Sequence, residues 1–286
     1  MTSWFAAFRA TLKENEDVLD LIFNRVPAYL LVRIAAPLKI TPNALTAVSF
    51  LLTCISTGFL IGGELGLAGL FIYLKVVFDC SDGQMARFTG KVSRNGRMYD
   101  ELADISGQFL IFGGIGWTLM RAGFRWPVFL QMAFSLFFMG ANTTIFQNFR
   151  IHYVRIYGNK AERTTPTRKA FFLAIDGLDA LREATHRLVP LPDINAYARN
   201  NGLTGERFET LRAAFRKRFE PMVYVFSLAA GTSHLFAIAL LALVRRLDWI
   251  APLFILYYNA FLGFLIVIQL LNRADFKHRY MSGFNA

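Results

Sequence analysis

Residues 79–104 read DCSDGQMARFTGKVSRNGRMYDELAD, and the spacing of the polar residues in this stretch predicts two helices. Asp79 and Asp82 are three positions apart. Gly83, Ala86 and Arg87 follow at the fourth, seventh and eighth positions after Asp79. Positions with these spacings share one face of an α-helix. The first half of the stretch therefore predicts a helix whose acidic face also carries small residues and an arginine.

The second half of the stretch predicts another helix with an acidic face. Asp100 and Asp104 are four positions apart, which is about one helical turn. The connection between the two helices, Phe88–Met98, is short, so we expect antiparallel neighbours. The four aspartates are then expected to meet at one end of a helical bundle.

Four clustered carboxylates repel one another and need cations to remain ionised close together. A charged side chain well inside a membrane costs about 2.5–3.5 kcal/mol on insertion scales. No His or Cys pattern accompanies Asp79, Asp82, Asp100 and Asp104, and hard oxygen ligands favour Mg²⁺ or Mn²⁺ over zinc. Two such ions, bound to carboxylates, are a common device for phosphoryl displacement. The pattern therefore predicts a site for Mg²⁺ or Mn²⁺, with two ions expected.

The residues around this stretch are apolar enough to form a membrane protein. Hydrophobic residues make up 55% of the 286 residues, and the mean hydropathy is +0.38. A membrane-spanning helix needs about 20 mostly apolar residues. Six stretches satisfy this requirement: 43–63, 65–87, 99–120, 126–148, 222–244 and 249–271. We therefore expect an all-α, polytopic membrane protein with six transmembrane helices.

The distribution of positive charge predicts the orientation in the membrane. The formal net charge is +11, and 26 of the 31 Lys and Arg residues fall on the side that carries both termini and the longest polar stretch. The positive-inside rule places that side in the cytoplasm. The acidic ends of the second and third spans face the same side, so the site is expected at the cytoplasmic face of the membrane, which in a bacterium is the inner membrane. A basic membrane protein of this kind predicts anionic substrates and membrane lipids as partners, and no nucleic acid.

The spans divide the chain into five segments. We expect an N-terminal cytosolic or interfacial segment at 1–42, four spans with the aspartate motif at 43–148, a cytosolic helical insertion at 149–221, two spans at 222–272 and a cytosolic tail at 273–286. In the first segment, Leu19–Leu38 resembles an amphipathic helix lying along the membrane, kinked near Pro27.

The insertion also has helical patterning. Arg168–Leu188 and Thr204–Phe219 are amphipathic, with Asp193 and Thr204 as candidate N-caps of short helices. The insertion is interpreted either as a small cytosolic cap or as an interfacial helix that shapes substrate entry.

Lys75 lies one helical turn before Asp79 on the same predicted face. It is interpreted either as a partner of the acidic cluster or as a contact to the acceptor substrate.

The motif resembles that of the CDP-alcohol phosphotransferase family, also called the CDP-alcohol phosphatidyltransferases. The family pattern is D-x2-D-G-x2-A-R-x8-G-x3-D-x3-D, and residues 79–104 match every fixed position. The segment Thr41–Thr46 is also similar to the family's segment before its first span. The resemblance implies an enzyme of phospholipid biosynthesis that transfers a substituted phosphate group from a CDP-alcohol to an alcohol acceptor and releases CMP.

The resemblance also implies a role for each matching residue. Asp79, Asp82 and Asp100 are similar to the family's metal ligands, and Asp104 to a metal-bound carboxylate that is also the general base. The residues that resemble the binding site of the CDP moiety are Asn43, Thr46, Gly83, Ala86, Arg87 and Gly96. A homodimer is also implied.

Several functions remain open at this point. The donor is either CDP-diacylglycerol, which is implied by the resemblance to the compact six-helix members of the family, or a CDP-head group similar to CDP-choline that is transferred to a lipid alcohol. An Mg²⁺-dependent intramembrane prenyltransferase and a cation transporter are the alternatives outside the family. Measuring CMP release distinguishes among these functions.

Overall fold

The computed structural model describes residues 4–13, 15–91, 96–157 and 187–281, and every regular element within them is helical. The first half of the chain forms α1 (Trp4–Ala10), α2 (Arg25–Ala35), α3 (Pro42–Gly62), α4 (Leu65–Thr89), α5 (Gly96–Arg121) and α6 (Pro127–Tyr157). The second half forms α7 (Ile194–Asn200), α8 (Gly205–Ser227), α9 (Gly231–Leu243) and α10 (Tyr258–Tyr280). Short π-helical segments at Asp20–Asn24 and Pro252–Tyr257 precede α2 and α10, and a 3-10 turn occupies Leu247–Trp249. The all-α class predicted from the sequence is confirmed for these residues.

Four helical stretches of the described chain are long and apolar enough to cross a membrane: Pro42–Gly62, Pro127–Tyr157, Gly205–Leu243 and Leu247–Tyr280. They indicate an integral membrane protein. The remaining two predicted spans correspond to α4 and α5, which have 25 and 26 residues. Their charged residues, including the motif aspartates, lower their apolar content, so the count of six spans stays a prediction.

Local signals explain where α3 and α4 begin and end. The Thr41 side chain accepts a hydrogen bond from the backbone N–H of Ala44, and Pro42 occupies the first turn of α3, where its missing N–H is tolerated. Gly63 ends α3 and Gly90 ends α4, both with left-handed backbone angles that glycine adopts without steric strain. The loop predicted at Phe88–Met98 is therefore shorter than expected, because α4 runs to Thr89 and α5 begins at Gly96.

The chain divides into two compact units. The first comprises Met1–Gly140 and Gly231–Tyr258. Its core consists of aliphatic and aromatic side chains from α3, α4, α5 and α9, among them Leu60, Ile72, Ile115 and Ile238, each with at most 1% of its surface exposed. This unit contains the whole aspartate motif.

The N-terminal part of the first unit has the amphipathic character that the sequence predicts. The π-helical segment, α2 and the turn after it leave a row of large apolar side chains exposed at four-residue intervals, namely Ile22, Val26, Leu30, Ile34 and Leu38. The opposite face packs inward through Tyr29 and Val32, which are fully buried. Pro27 lies in the first turn of α2, where its missing N–H requires no intrahelical partner, and the irregular segment lies before it at Asp20–Asn24.

The second unit comprises Ala141–Ala230 and Asn259–Ala286, and among the described residues its core combines aliphatic side chains with seven buried aromatic ones. Phe215 and Phe219 of α8 are fully buried and pack edge-on against Phe276 of α10. Arg218 pairs with Asp275 at 2.9 Å at the surface of this core.

Helix ends in the second unit differ from the limits of the predicted segments. The N-terminal half of α8 corresponds to the predicted helix Thr204–Phe219, but α8 continues through Pro221 to Ser227. The predicted boundary at residue 221 therefore lies within a helix. Asp193 caps α7 as predicted, because its carboxylate accepts from the N–H of Ala196, whereas the Thr204 side chain makes no capping bond. The predicted helix Arg168–Leu188 lies outside the described residues except for its last two positions.

Candidate active site

Three of the four motif aspartates meet where the C-terminal part of α4 faces the first turns of α5; both helices pack chiefly against α3. Asp79, Asp100 and Asp104 each offer one carboxylate oxygen, and these oxygens all lie within 4.8 Å of one another. Asp79 comes from α4, whereas Asp100 and Asp104 are one turn apart on α5, as the spacing predicts. We call these residues the acidic triad. Their side chains are partly exposed, so a ligand can reach them.

The fourth aspartate, Asp82, lies one turn beyond Asp79 and is not a member of the triad. Its carboxylate accepts a hydrogen bond of 2.5 Å from the hydroxyl of Thr46 on α3, and only 9% of its surface is exposed. Thr46 was predicted as a nucleotide contact from the family resemblance. In the structure its hydroxyl fixes a predicted metal ligand.

Lys75 provides a positive charge at the acidic triad. Its ammonium lies 2.6 Å from Oδ1 of Asp104 and 3.5 Å from Oδ1 of Asp79, and its side chain is 6% exposed. Of the two interpretations of Lys75 in the sequence, the structure favours the partner of the acidic cluster.

Arg87, predicted as a phosphate contact, is bound by the N-terminal segment. Its Nε donates to the backbone carbonyl of Thr11, and the side chain of Gln84 donates to the Thr11 hydroxyl at 3.2 Å. Gly83 leaves room for this arrangement, since a Cβ at Gly83 would lie 3.4 Å from Nη1 of Arg87. Nη2 of Arg87 is buried and has no hydrogen-bond partner among the described residues. The guanidinium thus retains an unused donor.

A buried ion-pair network fixes the N-terminal segment to α4 beside the motif. Arg25 pairs with Glu16 at 2.6 Å and with Asp20 at 3.5 Å, and it donates to the backbone carbonyl of Cys80 at 3.2 Å. Burial alone raises the pKa of Glu16, but the Arg25 guanidinium and the N–H of Lys13 outweigh burial, so the pKa lies below its ordinary value. The network places residues before α3 in direct contact with the motif helix.

A groove of about 410 Å³ lies between α3 and α5. Asn43 and Thr46, both predicted to bind the CDP moiety, line it together with Phe50, Tyr99 and Ser106. The rest of the lining is aliphatic (Ala47, Leu102 and Ala103), so the groove is mainly apolar with a few polar side chains along it. The remaining predicted nucleotide contacts lie elsewhere: Gly83 and Ala86 are half-buried on α4, and Gly96 begins α5.

The sequence interpretation missed several of these residues. Ala47 and Phe50 follow Asn43 by four and seven positions, so helical periodicity places them on the same face of α3 as Asn43. Tyr99, Ala103 and Ser106 have the same periodicity on α5. Thr11 gave no comparable signal, because it contacts the motif from 73 and 76 positions away in the chain.

Comparison with known proteins agrees with this geometry. The sequence model of the CDP-alcohol phosphatidyltransferase family matches residues 39–184, which are slightly more than half of the chain and include the whole aspartate motif. The chain belongs to the CDP-alcohol phosphatidyltransferase family. Membership of the family favours an enzyme over a cation transporter, and it leaves the prenyltransferase interpretation without support.

Two curated relatives share part of the sequence. An archaetidylinositol phosphate synthase from Pyrococcus horikoshii is 39% identical over 80 residues, which cover 27% of this chain and 42% of the relative. A phosphatidylinositol phosphate synthase from Corynebacterium glutamicum is 36% identical over 109 residues, covering 35% of this chain and 48% of the relative. The chain thus spans less than half the length of either curated relative that it matches. No solved structure matches it.

The acidic triad fits a divalent cation by the chemistry of its donor atoms. Three carboxylates offer hard oxygen ligands from two rigid helices, and these oxygens are near enough to one another for one ion to contact all three. Lys75 occupies Oδ1 of Asp104, which leaves Oδ2 of that carboxylate available. Asp79 and Asp100 can therefore hold a metal ion while Oδ2 of Asp104 remains available beside it, either as a third ligand or as a proton acceptor.

Proposed function

We propose that the protein transfers a phosphatidyl-type group from a CDP-lipid, such as CDP-diacylglycerol, to an alcohol acceptor and releases CMP. The observation that carries this proposal is the convergence of Asp79, Asp100 and Asp104 within 4.8 Å in a chain of the CDP-alcohol phosphatidyltransferase family. Such a cluster of carboxylates suits the binding of a diphosphate through divalent cations.

The relatives support a donor that carries the lipid. The names of both describe synthases of inositol phosphate lipids, one phosphatidyl and one archaetidyl. A reaction that joins a lipid to inositol phosphate with release of CMP requires the lipid on the CDP donor. Inositol phosphate is accordingly the first acceptor to test. The alternative is transfer of a head group from a CDP-choline-like donor to a lipid alcohol, because the aspartate motif serves both donor types.

Most of the predicted residues have a role in the proposed reaction. Asp79, Asp82 and Asp100 would hold Mg²⁺ or Mn²⁺, with two ions expected, and Asp104 would lie beside the metal with its Oδ2 available for the proton. When bound, the metal supplies charge neutralisation for the diphosphate. The groove that Asn43 and Thr46 line would receive the cytidine. Arg87 would bind a phosphate oxygen once its guanidinium turns to expose Nη2, which is buried and has no hydrogen-bond partner among the described residues.

Asp104 is the proposed general base. Its free Oδ2 accepts the proton of the acceptor hydroxyl. The hydroxyl oxygen then forms a bond to the phosphorus distal to cytidine, while the bond from that phosphorus to the CMP oxygen breaks in line and CMP leaves with the electron pair. Water must be excluded from the same position, since it would hydrolyse the donor.

The proposal includes the placement in the membrane. With six spans, the positively charged termini lie in the cytoplasm, and the acidic triad lies at the cytoplasmic face, where nucleotide donors are available. The segment of residues 149–221 is a cytosolic helical insertion in this arrangement, and the tail follows residue 272.

The decisive experiment measures CMP release by the purified protein. CDP-diacylglycerol and CDP-choline are each offered with inositol phosphate, inositol, glycerol phosphate, serine or diacylglycerol, in Mg²⁺ and in Mn²⁺. We expect CMP release with CDP-diacylglycerol and one of the polar alcohols, loss of release after chelation, and a new phospholipid by mass spectrometry. Absence of CMP release from every combination would refute the proposal.

A matched pair of variants tests the general base. Asp104→Asn should retain nucleotide binding and abolish turnover, because the amide cannot accept the proton. Glu101→Gln removes an exposed carboxylate from the same helix outside the triad and should leave turnover unchanged. Substantial turnover by Asp104→Asn would exclude Asp104 as the base.

A further inference from the structure

The Lys75 ammonium is a buried charge held by the acidic triad. Only 5% of the residue is exposed, and its ammonium contacts two of the three triad carboxylates. The backbone of Lys75 is also fixed, since the Ser49 hydroxyl of α3 donates to its carbonyl at 3.2 Å. An ammonium that is buried to this extent persists only with close anionic partners. Lys75 is therefore a fixed positive charge within the acidic site.

The two contacts of Lys75 differ in length, and the shorter one identifies Asp104 as its main partner. The contact to Asp104, at 2.6 Å, is a charge-assisted hydrogen bond, whereas the contact to Asp79, at 3.5 Å, is a looser ion pair. The bond takes up Oδ1 of Asp104 and restricts the rotation of that carboxylate. Only Oδ2 then remains for a metal ion or for the proton of the acceptor.

We propose that Lys75 is a positioning residue that orients the Asp104 carboxylate and lowers the attraction of the acidic site for divalent cations. This inference rests on the proposed function, because Asp104 is the general base of that reaction. Lys75 supplies part of the positive charge that the three carboxylates require, so the site keeps its geometry before a metal ion binds. The same charge repels an incoming cation, so the enzyme binds metal more weakly than its carboxylates alone would.

The opposed effects on metal affinity and on turnover give the test. In Lys75→Met, a side chain of similar length keeps the packing and removes the charge. Removing one unit charge a few ångströms from a divalent ion should tighten Mn²⁺ binding at least about tenfold, even with the screening of an aqueous dielectric. Turnover should fall at least about tenfold because Asp104 loses its orientation. The KM for the CDP-lipid should change much less than kcat. Mn²⁺ affinity is measured on the substrate-free protein by electron paramagnetic resonance.

Two further variants separate charge from geometry. Lys75→Arg keeps the positive charge but not the compact ammonium, so its Mn²⁺ affinity should stay near that of the original protein while kcat remains low. Lys217→Met removes an exposed lysine of α8 in the second unit, and it should change neither quantity. Unchanged or weaker Mn²⁺ binding in Lys75→Met would overturn the proposal, because a merely structural lysine gives that result.

A double-mutant cycle tests the partner of Lys75. In the presence of a chelator, Lys75→Met should lower the melting temperature. Adding Asp104→Asn to this variant should restore more of the lost melting temperature than adding Asp79→Asn, because the contact of Lys75 to Asp104 is the shorter one. Equal restoration by both would contradict the assignment to Asp104. The cycle and the Mn²⁺ titration use no substrate. If the original protein releases no CMP, the proposed function fails, while these two measurements still decide the role of Lys75 in the acidic site.

Discussion

Gly69 lets α4 pack closely against α9, and it predicts a sharp effect of a single added methyl group. A Cβ at this position would lie 2.6 Å from the backbone carbonyl oxygen of Ala239 and 2.9 Å from the Cγ of Leu243, both on α9. A flexible side chain can rotate away from such a contact, but a backbone carbonyl in the middle of a helix cannot. Gly69→Ala therefore requires α4 and α9 to separate.

The size of the effect follows from these distances. Side-chain Cβ atoms essentially never approach another heavy atom within 3.0 Å, so the carbonyl contact must lengthen by at least about 0.4 Å. Overpacking of this kind costs about 1–3 kcal/mol of the free energy of unfolding. Alanine recovers about 0.5–1 kcal/mol because it favours helix over glycine. We expect a net destabilisation on the order of 1 kcal/mol, or a melting temperature lower by roughly 2–4 °C.

The assay compares two glycines in thermal unfolding of the purified protein in one detergent. Gly58 lies inside α3, four residues before the helix ends, and a Cβ there has no atom within 4 Å, so Gly58→Ala should raise the melting temperature. The two variants add the same methyl group and should have effects of opposite sign. An unchanged or higher melting temperature for Gly69→Ala would refute the close packing of α4 against α9.

Two other contacts of the first unit give predictions of the same kind. Thr46→Val removes the hydroxyl that donates to Asp82, so it should lower the free energy of unfolding by about 1–3 kcal/mol. The control Thr53→Val removes only a hydrogen bond within α3 and should lower it less. Equal losses for the two variants in urea unfolding would contradict the special role of Thr46. Glu16 has a lowered pKa beside Arg25, so its ion pair stabilises the folded protein above the ordinary value of 4.5 and loses this effect as the pH falls through the lowered pKa. The gap in melting temperature between the original protein and Glu16→Gln should therefore be widest near pH 7 and close in acid, and a gap that widens in acid would show that the sign is wrong.

The local features of the site could be predicted from the sequence because they follow from helical periodicity. The spacing of Asp100 and Asp104 placed both on one face of α5, and the short connection after Arg87 indicated that the adjoining ends of α4 and α5 meet, although the two helices pack chiefly against α3 and not against each other. These inferences need only the period of an α-helix and the length of a loop. The convergence of Asp79 with the α5 carboxylates followed from them.

The partners of individual side chains could not be predicted in this way. Asp82 matches the family pattern as well as Asp79 does, but its carboxylate bonds to Thr46 instead of joining the triad. Arg87 likewise contacts a backbone carbonyl in the N-terminal segment. Both contacts depend on the rotamers and the packing of separate helices, and spacing along one helix contains no information about them.

Hydropathy also failed to mark helix ends. The fifth predicted span began at Met222 because the preceding residues are polar, but the helix begins at Gly205 and continues through Pro221. The fourth span was expected to end at Asn148, whereas α6 continues to Tyr157. A helix that leaves the membrane keeps its backbone hydrogen bonds in water, so a change of polarity does not end it. Capping residues such as Asp193 were the more reliable signal.

Two residues of the N-terminal segment, Thr11 and Arg25, bind Arg87 and the carbonyl of Cys80 on α4. These contacts have a consequence for chimaeras between members of the family. The region that the family shares here starts at residue 39, whereas Thr11 and Arg25 precede it. A chimaera that joins residues 39–184 to the leading segment of another member would carry every signature residue but lose the partners of two positions on α4. An active chimaera should therefore require that the N-terminal segment of this protein is transferred together with residues 39–184.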